Sequence, residues 1–157
     1  MESPEEQDAS GIREDVESGK LILDPYDEGN IIDEWIDQNM IVWLQVRPVA
    51  PNGPKNNMMV GPSGRWGRAC QYPFKKPEAG EWDHFWHAYK VEPCKEVVRK
   101  VFQHHHRTAT SPLRWMTTDM IDMPDYGGGV RYSLFEQNVA IAEWMRSTWQ
   151  KFKAVAQ

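Results

Sequence analysis

The sequence predicts an α+β fold, a small antiparallel sheet from the N-terminal half packed against three C-terminal helices, with a flexible acidic arm in front. Three observations carry this reading. The clearest alternation of a half-buried strand comes early, over residues 40–49. The long patterns with helical spacing all come after residue 92. Strands first and helices later argue against a doubly wound parallel sheet. Charge adds the arm: residues 1–40 hold thirteen Asp and Glu against two Lys and Arg, whereas residues 41–157 hold sixteen basic against ten acidic groups.

Residues 1–19 are polar and acidic without periodicity, so they cannot repay their ordering entropy alone and read as a disordered arm. Residues 20–157 form the single domain, a normal size for one core. Residues 20–23 are a short apolar run, and 24–29 a turn cluster. Asn30 then caps a short helix carrying Ile31, Ile32, Trp35 and Ile36 on one side.

In the strand over 40–49, Ile41, Trp43, Gln45 and Arg47 share one face; Val42, Leu44, Val46 and Pro48 share the other, drier face, which is expected to be buried. Residues 58–60 pair back as a hairpin. Residues 61–82 are rich in Gly, Pro and aromatics, with one short strand near 69–72. Residues 82–91 fit a strand or a helical turn.

Cys94, Val97, Val98, Val101, Phe102 and His105 recur with helical spacing, predicting a helix over 93–105. Ser111 followed by Pro112 is an N-cap signal and predicts a second helix over 112–121. Ser133 and Glu136 form a capping box ahead of a third helix, 134–155, with Ile141, Trp144, Met145, Thr148, Phe152 and Val155 on one face.

The eight tryptophans are unusual for a chain of 157 residues. Indole rings fill cores, and they are also enriched at interfaces and stacking surfaces. Between residues 41 and 118 there are twelve basic and five acidic groups. Arg65, Trp66, Arg68, Lys75 and Lys76 interleave cations with an aromatic ring, and Lys95, Arg99, Lys100 and Arg107 extend the positive character. Lys and Arg neutralise phosphates while flat rings stack on bases, so these residues are the expected nucleic-acid contacts. The bland alternative is a solvated basic helix face with tryptophans packed inward.

All five histidines lie within 84–106, and His84, His87, His104 and His106 are the candidate ligands of a metal, zinc by chemistry. Their spacing matches no established ligand motif, and a histidine near a helix C-terminus needs no metal to be there. No cofactor is otherwise expected. The glycine-rich stretches lack the features of nucleotide loops. Asp119, Asp122 and Asp125 read as a helix end running into a turn before Pro124. Cys94 falls on the apolar stripe, where a buried, inert thiol is the expectation despite Lys95 beside it.

Two cysteines make no disulfide framework, and the acidic start is not a secretory signal, so the expected setting is a reducing, cytoplasmic-type compartment. No apolar run is long enough to span a membrane. No motif brings a known family into view. The chain reads as a non-catalytic binding protein, first of all an accessory nucleic-acid-binding protein. The alternative is a structural subunit of a larger assembly, such as a viral one, using the acidic arm and surface tryptophans for contacts with a protein partner or with itself. A metal-dependent enzyme built on the histidines is the third reading.

Overall fold

In the computed structural model the described residues are 14–50, 56–60, 66–67, 70–82, 85–122 and 130–155. Asn30 starts the first helix, α1 (Ile31–Asp37), as its sequence implies. Its side-chain oxygen accepts the Asp33 N–H at 3.0 Å, and its amide donates to the Asp27 carbonyl and the Asp33 carboxylate. Ile36 is buried, but Trp35 turns out to solvent. Ahead of it, residues 14–17 make one helical turn, which Gly19 closes in the left-handed region at φ 74°. The rest of the acidic arm, residues 1–13, lies outside the described residues.

The main correction concerns the sheet. Strand β1 (Trp43–Val46) pairs with β6 (Trp115–Thr118), and the pairing is parallel. The sequence predicted an antiparallel sheet and a helix over 112–121; the chain forms a strand there instead. Two physical reasons account for the miss. Ser111 does not cap: its hydroxyl contacts the His105 ring at 3.1 Å, beneath the protein surface. The residues after Pro112 include Trp115, Thr117 and Thr118, bulky or β-branched types that favour an extended chain with a neighbour to pair with. A parallel pair then needs a long crossover, which the intervening chain supplies with α2 (Glu92–Arg107).

Short antiparallel ladders accompany this pair without joining it: β2 (Val49–Ala50) with β5 (Cys70–Gln71), and β3 (Asn56–Val60) with β4 (Trp66–Gly67). Residues 88–91 form a tight 3-10 turn that leads into α2. The last element is α3 (Leu134–Val155), 22 residues long. Ser133 Oγ accepts the Glu136 N–H at 3.2 Å, half of the expected capping box; the Glu136 carboxylate reaches Lys75 instead.

The core lies between the inner face of the parallel pair and the two long helices. Val46, Tyr72, Val98, Phe102, Ile141 and Met145 are its buried centre. A smaller cluster of Ile36, Val101 and Leu113 seats α1 against α2. The expected inner face of β1 is largely right: Val46 and Pro48 are buried and Leu44 packs on the core, while Val42 at the strand start is exposed.

Three carboxamides fasten the loops to this core. Gln71 donates to the Ile121 carbonyl at 2.6 Å and accepts its N–H at 2.8 Å. Gln137 treats Lys75 the same way, at 3.2 and 2.8 Å. Asn138 does so for Met120, at 2.8 and 2.9 Å. Each amide supplies the donor and acceptor that a neighbouring strand would have supplied. Among the described residues no helix is long and apolar enough to cross a membrane.

Two substitutions separate these contributions in urea unfolding followed by tryptophan fluorescence. Phe102→Ala removes a ring with no exposed surface and is expected to cost about 3–5 kcal/mol. Gln137→Met keeps the volume but strands the Lys75 N–H and C=O, at an expected cost of about 2–4 kcal/mol.

Candidate functional site

The alternation of the two paired strands builds an outward face opposite the core. Trp43, Gln45 and Arg47 project from β1 and its end; Trp115, Thr117 and Asp119 project from β6 and its end. The register sets Trp43 directly beside Trp115, and both indoles stand in solvent, 60% and 70% exposed. Trp43 Nε1 donates to Thr117 Oγ1 at 3.0 Å, which fixes the ring across the pair. Beyond them Gln45 lies beside Thr117. At the far end Arg47 Nη1 meets Asp119 Oδ2 at 3.0 Å, so the charge on this face cancels. The face therefore grades from bare aromatic surface to neutral polar groups to a closed ion pair.

The β1 half of this face was legible as Trp43, Gln45 and Arg47. The β6 half was missed because 112–121 was read as a helix, where Trp115, Thr117 and Asp119 do not share a side. The alternation in Trp115-Met116-Thr117-Thr118 was the signal that could have shown it.

The expected nucleic-acid contacts are placed as follows. Arg65 and Arg68 lie outside the described residues, and Trp66 is described only as backbone in β4. Lys75 Nζ pairs with Glu136 at 2.8 Å, and Lys76 is exposed beside it. Lys95 pairs with Glu92 at 2.9 Å, and Arg99 bridges Glu92 and Glu96 at 2.9 and 3.1 Å. Lys100 reaches across to Asp33 on α1 at 2.7 Å. Arg107 is exposed in the last turn of α2. Lys95 and Arg99 also lie over the ring of Trp144, which is part of the core boundary. The Lys95 hydrogen bond, joined by Arg99, holds the Glu92 carboxyl below the usual range. Lys95, Arg99 and Lys100 thus each lie against a carboxylate that offsets their field, Glu92 being shared by the first two.

The histidines do not converge. His84 lies outside the described residues. His87 is exposed, its ring 5.4 Å from that of Tyr89. His104 turns to α1, with Nε2 3.0 Å from Asn39 Oδ1. His106 turns to α3, its ring centroid 4.3 Å from that of Trp149. Its Nε2 is buried without a hydrogen-bond partner. Among the described residues no group of three or more His, Cys, Asp or Glu side chains is placed to hold a metal ion. Asp119, from the aspartate series, is the partner of Arg47; Asp125 lies outside the described residues. Burial pushes the Cys94 thiol up to about 11, against the smaller pull of Lys95, which leaves it protonated at neutral pH.

No family model matches this chain, and neither a curated protein nor a solved structure does.

His105 gives this region a pH signature. Burial holds its pKa below the ordinary 6.5, and the positive charges of His106, Arg114 and His104 add to the effect. A histidine with a depressed folded-state pKa costs nothing above its unfolded-state value. It lowers stability as pH falls through that value, because the unfolded chain takes up the proton more readily. A proton NMR titration is expected to place the His105 midpoint below that of a free histidine. His105→Gln is expected to flatten part of the fall in unfolding free energy on the acid side of neutrality. For Cys94, alkylation at neutral pH is expected to be far slower in the folded chain than in urea.

Proposed function

We propose that the protein is a non-catalytic structural subunit that contacts a second copy of itself through the outer face of the β1–β6 pair. The observation that carries this reading is the adjacent, solvent-facing pair Trp43 and Trp115. An aromatic side chain of this size buries roughly 150–250 Å² when wholly covered, and more than half of each of these two is still open to solvent. Tryptophan is also the side chain most often found where contact energy concentrates. The rest of the face favours a like partner. Gln45 and Thr117 are neutral, and Arg47 and Asp119 already neutralise each other. Two copies can therefore meet face to face without setting like charges against each other, as a two-fold contact requires.

The nucleic-acid reading stands second, favoured by one observation. Arg114 is exposed immediately before Trp115, a cation next to a flat ring. Lys76 and Arg107, exposed, with Arg65, Trp66 and Arg68, are its remaining contacts.

Light scattering across a concentration series tests the first reading. The wild-type chain is expected to gain mass with concentration, and the double variant Trp43→Ser, Trp115→Ser to remain a folded monomer by circular dichroism. A wild-type chain that stays monomeric at every concentration reached sinks the proposal. Mobility-shift assays at low salt with single- and double-stranded DNA and RNA decide the second reading; no shift removes it.

A further inference from the structure

The side chains that alternate with the outward tryptophans on β6 look the other way. Met116 and Thr118 face an open groove of about 580 Å³ between β6, the C-terminal part of α2 and the middle of α3. Phe102, Leu113, Met145 and Trp149 give it an apolar lining, and Arg114 and Arg146 border it. None of the residues lining it is Asp or Glu. This volume lies in the range of small-molecule sites, roughly 300–1,000 Å³, which are mostly apolar with a few placed polar groups.

The two arginines differ from three cations of α2. Lys95, Arg99 and Lys100 each reach a carboxylate. Among the described residues neither Arg114 nor Arg146 has one. Arg114 Nη1 is instead held by the carbonyls of Ser111 and Leu113, at 3.2 and 3.1 Å, which leaves the rest of its guanidinium fork available. The positive field here is already felt within the protein: Arg114 is one of the charges that act on His105, which also lines the groove. An apolar cleft with cations and no anion of its own is complementary to a ligand that has an apolar body and a negative end.

We propose that this groove binds a small amphipathic organic carboxylate, its apolar chain over Met116, Met145 and Trp149 and its carboxylate taken by Arg114 and Arg146. A guanidinium offers parallel N–H donors that match the two oxygens of a carboxylate. The apolar lining supplies affinity without direction, and the arginines supply orientation and choice of charge. The site is independent of the proposed self-contact, because Met116 and Thr118 lie on the face of β6 opposite Trp115 and Thr117.

Methyl NMR of the full-length chain tests it, with decanoate, decanol and decylammonium as probes below their micelle-forming concentrations. Decanoate is expected to shift the Met116 and Met145 methyl signals saturably and to bind more tightly than decanol, with decylammonium weakest. Arg114→Gln and Arg146→Gln are each expected to weaken decanoate by roughly tenfold and to leave decanol unchanged. Methyl signals that no probe moves, decanol binding as tightly as decanoate, or variants that keep full decanoate affinity would each overturn the proposal. Should a variant fail to fold, the ranking of the three probes on the wild-type chain still decides. Light scattering of the same samples keeps the outcome separate from self-association.

Discussion

Three side-chain amides, two of them buried, stand where this fold lacks strands. A sheet of two strands leaves much backbone without a ladder partner, and buried N–H and C=O groups left unpaired cost roughly 1–3 kcal/mol each. Gln71, Gln137 and Asn138 each close one such gap, taking both the donor and the acceptor of a single residue. Two of the three sit in neighbouring positions at the start of α3, and they hold different segments, residues 75 and 120. The helix is thereby locked both to the chain that follows β5 and to the chain that follows β6. Everything further along α3 inherits its position from that anchorage, including Met145, Arg146 and Trp149 at the groove.

Charge is arranged with the same economy. The long acidic excess of the first forty residues is not wholly separate from the basic body: Asp33 of α1 holds Lys100 of α2. Along α2 itself, Glu92 and Glu96 answer Lys95 and Arg99. Ion pairs with this much exposure add little stability. Their larger effect is on the potential the molecule presents, since a cation beside its own carboxylate attracts a distant anion weakly. Arg114 and Arg146, by contrast, lie at the mouth of an apolar cleft whose lining holds no carboxylate.

Strand β6 gives the molecule its two unlike surfaces. One side of it contributes Trp115 to a bare aromatic pair with no net charge; the other contributes Met116 to a groove bordered by cations. A four-residue strand can do this because successive side chains leave it in opposite directions. The surface proposed for a second copy and the groove proposed for a small carboxylate therefore lie on opposite faces of one strand.

Local chemistry was enough for several elements. The Asn30 cap, the apolar stripe of α2 around Val98 and Phe102, the Ser133 cap and the inward residues of α3 follow from side chains within a few positions of one another. So does the division of β1 into an outer row with Trp43 and an inner row with Val46. Pairing does not follow in that way. Whether Trp43 lies beside Trp115, and whether the strands run parallel, depends on a partner far along the chain whose own local signal, Ser111 and Pro112, points to a helix. The groove has the same origin, since Arg114 and Arg146 share no pattern in the sequence. Those features were decided by the tertiary structure, because burying Val46 and packing Met116 against two helices is worth more than one helix cap, and only the folded chain can make that comparison.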